Sequence, residues 1–258
     1  MTSGETIDRA LPDGLLVNRK WLKEKGFQRP LVDYYIRSGT LTAVARGVYR
    51  RPGPPLKWQH VVYSLQELDY GVHVGGRTAL ELQGMAHSLP LKGTRLILLY
   101  GVNTLPAWVD QLEADYEVQL YKTRLFQGVP EKALTTIPFG HWDWPVHYAI
   151  PELALLQLME AVKTAVDFEV ADKFFEAASM LRPLLVMELL RDCRHVRAKR
   201  LFMWFADRHN HSWFGKLHLD QIDLGSGKRV VIKKGALDSK YLITVPREVA
   251  HGQEQSFF

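Results

Sequence analysis

The chain has 258 residues, 47% hydrophobic and 24% charged, enough to bury a core without disulfide or metal support. A single cysteine, Cys193, excludes an intrachain disulfide, and no apolar run approaches the ~20 residues that a membrane helix needs. The net charge of +5 is unevenly placed: residues 1–58 hold 11 Lys and Arg against 5 Asp and Glu, a net +6, while the remainder stands at −1, which points to a polyanionic partner for the N-terminal quarter.

The first fifteen residues lack a basic segment followed by an apolar one, so no signal peptide is expected and the chain reads as cytoplasmic. Residues 5–11 can form a short first helix. Asn18 is placed to cap a second over Arg19 to Lys25, which Gly26 ends. A third follows in "QRPLVDYYIRSG", with Pro30 tolerated in its first turn and Gly39 at its end. Leu31 with Tyr35 and Val32 with Ile36 give this helix an apolar face; Arg29, Asp33 and Arg37 lie on another. Next come two short β-forming runs, Leu41 to Val44 and Val48 to Tyr49, joined by a turn at Arg46-Gly47 and followed by Arg50 and Arg51.

Three helices and then a hairpin, with a tight turn between the second and third helices, is the order of a winged helix-turn-helix. In that arrangement the third helix enters the major groove, and Gln28, Arg29, Asp33, Tyr34 and Arg37 are its candidate base-facing residues. Arg46, Arg50 and Arg51 edge the wing, where cations meet phosphate. A small three-helix module that docks on protein instead is the alternative.

"RRPGPPLK" reads as a boundary, which divides the chain into 1–55 and 56–258. Trp58 to Leu68 reads as a helix. In "VHVGGRTALELQG" a short strand meets a Gly pair and a helix, with Thr78 as cap and Glu81 as its capping-box partner. Thr94 to Gly101 and Tyr116 to Thr123 read as strands, and "IPFGHWDWPVHYAIP" as a loop and a strand. Glu152 to Val162, Phe168 to Met180, Pro183 to Cys193 and Val196 to Arg208 are four helical segments. The tail reads as a β-meander with turns at Ser226-Gly227 and Gly235. The expected class is therefore α+β, a winged helix-turn-helix followed by a larger mixed α/β domain.

No cofactor or metal site is legible. "LGSGKR" has Ile222 where a phosphate-binding loop needs glycine and Arg229 where it needs Ser or Thr, so a hairpin turn is expected there. His209 with His211, and Cys193 with His195, do not have zinc-ligand spacing. Asp110 and Asp115 before Glu117-Val118-Gln119 resemble a nuclease metal site in which Gln119 replaces the needed lysine, and a DNA-targeted nuclease is a second alternative. Two later basic clusters, Arg191, Arg194, Arg197, Lys199 and Arg200, then Lys228, Arg229, Lys233 and Lys234, suit either a solvated surface or a face for RNA or an acidic protein.

"GFQRPLVDYYIRSGTLTAVARGVYRRPG", Trp58 and "VHVGGRTALELQGMAHSL" together resemble the N-terminal part of the AbiE-type abortive-infection antitoxins of bacterial type IV toxin–antitoxin systems, and "GKRVVIKKGALDSKYLITVP" is similar to their C-terminal antitoxin domain. The resemblance spans about residues 15 to 247 and is strongest at 26–89. It implies a non-enzymatic phage-defence protein whose winged helix binds repeats in its own promoter and represses the operon. It also implies a C-terminal domain that counteracts a nucleotidyltransferase toxin without a stable complex, and it makes the two later basic clusters the candidate surface for that role.

Overall fold

A computed structural model describes residues 6–85, 95–112 and 114–250. The fold is α+β, and its contacts divide the chain into two compact units: Met1–Val74 with Lys92–Lys122 and Thr136–Tyr148, and Gly75–Leu91 with Thr123–Thr135 and Ala149–Phe258. Neither unit ends at the Pro-rich segment after residue 50. Residues 86–94, which hold the end of the second resembling segment and Thr94, lie outside the described residues, as does Glu5 of the expected first helix.

The first unit opens with α1 (Ile7–Ala10), a two-residue strand β1 (Val17–Asn18), α2 (Arg19–Glu24) and α3 (Arg29–Arg37). The hairpin β2 (Thr42–Ala45) and β3 (Val48–Arg50) follows. Strand β1 pairs antiparallel with β3, so the wing is a three-stranded sheet of order β1-β3-β2, with a bulge in β2 between Ala43 and Ala45. Two residues carry no alternation signal, which is why β1 is invisible in the sequence. The core of this part gathers Leu11, Leu15, Val17, Leu22, Phe27, Val32, Leu41 and Tyr49. Leu31, expected on the apolar face of α3, is 39% exposed; Val32 is buried, with Tyr35 and Ile36 packed beside it. At 100° per residue the face centred on Val32 and Ile36 turns Leu31 outward.

Distant chain completes this core. Trp144 belongs to it, and stacks on Tyr63 with ring centroids 4.6 Å apart and planes 15° from parallel. Tyr63 lies on α4 (Trp58–Glu67), which leads to β4 (Val72–Val74). A five-stranded sheet then forms, ordered β6-β5-β4-β8-β7, from β4, β5 (Arg95–Gly101), β6 (Tyr116–Lys122), β7 (Leu134–Phe139) and β8 (Trp144–Ala149). Strands β5 and β6 run parallel from Arg95↔Tyr116 to Gly101↔Lys122. The segment read as loop and strand is thus two strands, β7 and β8, turned at Gly140 to Asp143.

In the second unit α5 (Gly76–Leu82) is capped by Gly75 rather than Thr78: the Gly76 N–H donates to Gln157 Oε1 at 3.0 Å and the helix starts three residues early. Glu81 instead pairs with Arg77 at 2.6 Å. Helices α6 (Pro151–Ala161), α7 (Ala165–Ala177), α8 (Pro183–Asp192) and α9 (Val196–His209) match the four expected segments closely. Residues Leu153 to Met159 of α6 are all buried, which marks it as the central helix. Phe168, Phe175, Phe202, Trp204, Phe205 and Trp213 form a ring cluster around α7 and α9.

The tail has a single hairpin among the described residues, β9 (Ala236–Asp238) with β10 (Ile243–Val245), and α10 (Arg247–Ala250). "LGSG" is not a hairpin turn. It wraps the guanidinium of Arg200, whose Nε donates to Leu224 O at 2.6 Å, Nη1 to Gly227 O at 2.5 Å and Nη2 to Gly225 O at 2.8 Å. A loop with no ladder partner has satisfied its carbonyls on a buried cation.

Candidate nucleic-acid interface

The helix-turn-helix is set by two local devices. Asn18 Oδ1 accepts from the Trp21 N–H at 2.8 Å and starts α2. Gly26 then takes a left-handed φ of +88°, which a side chain would disfavour, and lets Phe27 drop into the core before α3 begins. On the wing, Gly47 at φ +78° makes the tip and leaves Arg46 exposed.

Several predicted residues converge. One cleft is lined by Gln28, the cap of α3, and Arg29 of α3, Arg46 and Gly47 of the wing, and Arg19 and Lys23 of α2. Its cations come from three elements, and a polyanion laid across it would meet all of them. Arg19 and Lys23 are absent from the sequence reading, although their four-residue spacing places them on one side of α2. Arg19 donates from Nε to the Tyr49 hydroxyl at 2.8 Å and pairs with Asp33 at 3.1 Å, so it ties the wing to both helices. A second cleft, lined by Arg29, Pro30, Asp33, Ile36 and Arg37, lies along α3. Tyr34 is 57% exposed on the same helix.

Asp33 stands apart from the other candidates. Its carboxylate holds Arg19, and Arg29 at 3.8 Å, while its carbonyl accepts from Arg37 Nε at 3.3 Å. It orients three arginines, which is a different task from reading a base edge.

The paired arginines after the wing are turned inward. Arg50 donates from Nη1 to Pro54 O at 2.9 Å and from Nη2 to Gly53 O at 3.1 Å. Arg51 pairs with Asp8 at 3.2 Å and Asp13 at 3.0 Å, and donates to Leu11 O at 3.4 Å. Both would have to leave these partners to reach a phosphate. They fasten the linker and α1, and sequence spacing cannot distinguish that from an exposed edge.

The C-terminal clusters do not form one basic face. Residues 191–200 are not one helix, since Cys193 to His195 interrupt it. Arg191 and Arg194 are exposed, and Arg194 reaches Gln127 Oε1 at 2.6 Å. Arg197 is half-buried and donates to Val162 O and Glu160 O, each at 2.7 Å, at the end of α6, where unpaired carbonyls collect. Lys199 and Arg200 are 3% and 2% exposed and take no part in any surface. Lys228, Lys233 and Lys234 are exposed, and Arg229 is half-buried.

Glu117 and Gln119 both face solvent on β6, an edge of the five-stranded sheet. Among the described residues no group of three or more His, Cys, Asp or Glu is placed to hold a metal ion. Burial pushes the Cys193 thiol up to about 11, against a weaker pull from the His195 backbone, so it is not a thiolate near neutrality. No helix among them is long and apolar enough to cross a membrane.

Two family models match the chain. Residues 4–91 match the N-terminal domain of the AbiEi antitoxin transcriptional regulators. Residues 94–246 match the AbiEi antitoxin transcriptional regulator of type IV toxin–antitoxin systems. The crystal structure of the Rv2827c protein from Mycobacterium tuberculosis is similar in fold, with a TM-score of 0.53 at 15% identity, over 90% of this chain and 86% of that one. No curated protein matches the chain.

Proposed function

The chain belongs to the AbiEi antitoxins, the transcriptional regulators of type IV toxin–antitoxin systems, and from that premise we propose that it binds double-stranded DNA at repeats in its own promoter and represses its operon from the cytoplasm. The observation that carries this reading is the cleft in which Arg19, Lys23, Arg29 and Arg46 converge from α2, α3 and the wing. Gln28, Arg29, Tyr34 and Arg37 are the residues assigned to base edges, since arginine pairs with guanine and glutamine with adenine in the major groove. Arg19, Lys23 and Arg46 are assigned to phosphates, with Asp33 positioning the arginines. Residues 56–258 are assigned to counteracting a nucleotidyltransferase toxin without a stable complex, with Arg191, Arg194, Lys228, Lys233 and Lys234 as exposed cations.

Fluorescence anisotropy with a promoter duplex and a scrambled duplex, over a range of salt, tests the DNA part. Arg29→Ala is expected to remove about 1–3 kcal/mol of preference for the promoter while retaining most non-specific affinity. Equal loss on both duplexes would make Arg29 a phosphate anchor. A protein that binds neither duplex at low salt would be a docking module instead. Toxin suppression in cells by the Arg191→Glu/Arg194→Glu variant tests the second part: unaltered suppression removes these residues from it.

A further inference from the structure

We propose that Tyr49 is a positioning residue of the nucleic-acid cleft: its hydroxyl, on the wing strand β3, fixes the Arg19 guanidinium before DNA arrives and makes Arg19 the anchor among the cations there. The inference rests on the DNA reading above and adds to it a residue that acts on DNA only through another. Tyr49 is 5% exposed and belongs to the core, so it offers a polyanion almost no surface of its own.

Arg19 is fixed at both ends. Its backbone follows directly on β1, where Val17 pairs with Tyr49 and Asn18 with Val48, and it opens α2 under the Asn18 cap. Its guanidinium donates from Nε to the Tyr49 hydroxyl at 2.8 Å and from Nη2 to Asp33 Oδ1 at 3.1 Å, and its centre lies 5.5 Å from the centroid of the Tyr49 ring. A planar fork held from two elements has one orientation. Nη1 is the amino group left over, and 44% of the side chain remains exposed. The other cations of the cleft are held less. Lys23 and Arg46 are exposed, and Arg29 meets Asp33 only at 3.8 Å with 83% of its side chain exposed.

A loose arginine gives up rotamer freedom when it binds a phosphate, and one already fixed does not, a difference of about two- to tenfold in affinity. A hydroxyl suits the task. It accepts from Nε without cancelling the positive charge that the phosphate requires, as a second carboxylate would. Placed on β3 opposite Asp33 of α3, it also keeps the guanidinium between the wing and the helix.

Tyr49→Phe keeps the buried ring and removes the hydroxyl, and it should fold. NMR of the arginine Nε–H groups in the full chain reads the hold on Arg19 without DNA. Exchange with water at Arg19 should be at least about tenfold slower than at the exposed Arg46 in the wild type, and close to the Arg46 rate in Tyr49→Phe. Equal exchange in the wild type, or a rate that the substitution does not alter, overturns the proposal. Anisotropy reads the consequence: Tyr49→Phe should weaken binding to promoter and scrambled duplexes alike by about two- to tenfold with the salt slope unaltered, whereas Arg19→Ala should lower that slope by about 0.9. In the Arg19→Ala background Tyr49→Phe should cost nothing further. An equal loss in both backgrounds would make Tyr49 a strut of the core and overturn the positioning role, as would wild-type affinity in Tyr49→Phe. A wild-type chain whose Arg19 exchanges slowly but which binds neither duplex at low salt overturns the DNA reading while the hold on Arg19 stands.

Discussion

The winged helix and the stretch from Arg191 to Arg200 have similar basic composition and opposite uses for it. In the first, Arg29, Arg37 and Arg46 keep their guanidinium groups toward solvent, the first two held by the carboxylate and the carbonyl of Asp33 and the third by the tip of a hairpin. In the second, Arg197 and Arg200 turn inward and donate to carbonyls that no helix or strand has claimed. The difference follows from the local supply of backbone acceptors. A helix end at Glu160 to Val162 and a loop at Leu224 to Gly227 offer orphan carbonyls, and a buried cation is their cheapest partner. In the wing the strands pair with one another and the turn at Gly47 leaves Arg46 outside. Charge density along the chain therefore identifies arginine-rich segments without saying which are for binding.

Arg200→Met should give the largest effect of the changes that break this contrast. It leaves at least three carbonyls unanswered in a buried site, and a loss of about 3–5 kcal/mol is expected in urea unfolding, with DNA affinity of the remaining folded protein unaltered. A loss below about 1 kcal/mol would mean that water replaces the guanidinium and that the residue is no strut.

Acid should sharpen the contrast between the two units. His73, on β4 of the first unit, is 4% exposed, and burial, with a lesser contribution from His147, pushes its pKa down to about 4. The unfolded chain takes up this proton near pH 6.5 and the folded one only near pH 4, so stability from this residue is complete above pH 6.5 and is lost as pH falls toward 4, by about 3 kcal/mol in all. In the second unit Glu152 is buried, which opposes its ionisation, yet the Arg182 guanidinium at 2.9 and 3.0 Å and the Arg182 N–H hold its carboxyl below the usual range. That stabilisation is present above the ordinary carboxylate pKa and is lost only below it. Hydrogen exchange from pH 7 to 4 should therefore show protection in β4 and β5 falling before that in α6. Simultaneous loss would mean that His73 stays uncharged in the unfolded ensemble or that the units unfold together.

Neighbouring arginines in the first unit give a finer test. Arg46→Ala should lower the slope of log affinity against log salt by about 0.9, one phosphate, and leave the melting temperature unaltered. Arg51→Ala should leave the slope unaltered and cost about 1 kcal/mol of stability through its pairs with Asp8 and Asp13. If the two variants behaved alike, the inward orientation of Arg51 would not describe the DNA-binding form. Charge reversal at Arg194 should have the smallest thermodynamic effect, below about 0.5 kcal/mol, because its side chain is exposed and has one amide partner, Gln127.

Much of this architecture is written locally. Asn18, Gly26, Gly39 and Gly47 mark helix and turn boundaries by capping or backbone conformation, and the four later helices follow from apolar spacing with Pro151 and Pro183 at their starts. The parts that were not legible depend on long-range partners. Gln157 moves the cap of α5 from Thr78 to Gly75, Tyr49 and Asp33 recruit Arg19 to the cleft, and Leu224 to Gly227 take Arg200 away from the surface. In each case the deciding group lies 14 or more residues away, beyond the reach of a periodicity or capping rule.

Trp144 in the core of the helix-turn-helix has a consequence during synthesis. The ribosome delivers Arg51, the end of the wing, about 90 residues before it delivers the indole that stacks on Tyr63. At ~5–20 residues per second the interval is roughly 5–20 s. Throughout that time the nascent N-terminus has its helices but an open core. The core that Trp144 completes is therefore closed only after more than half of the chain has been translated.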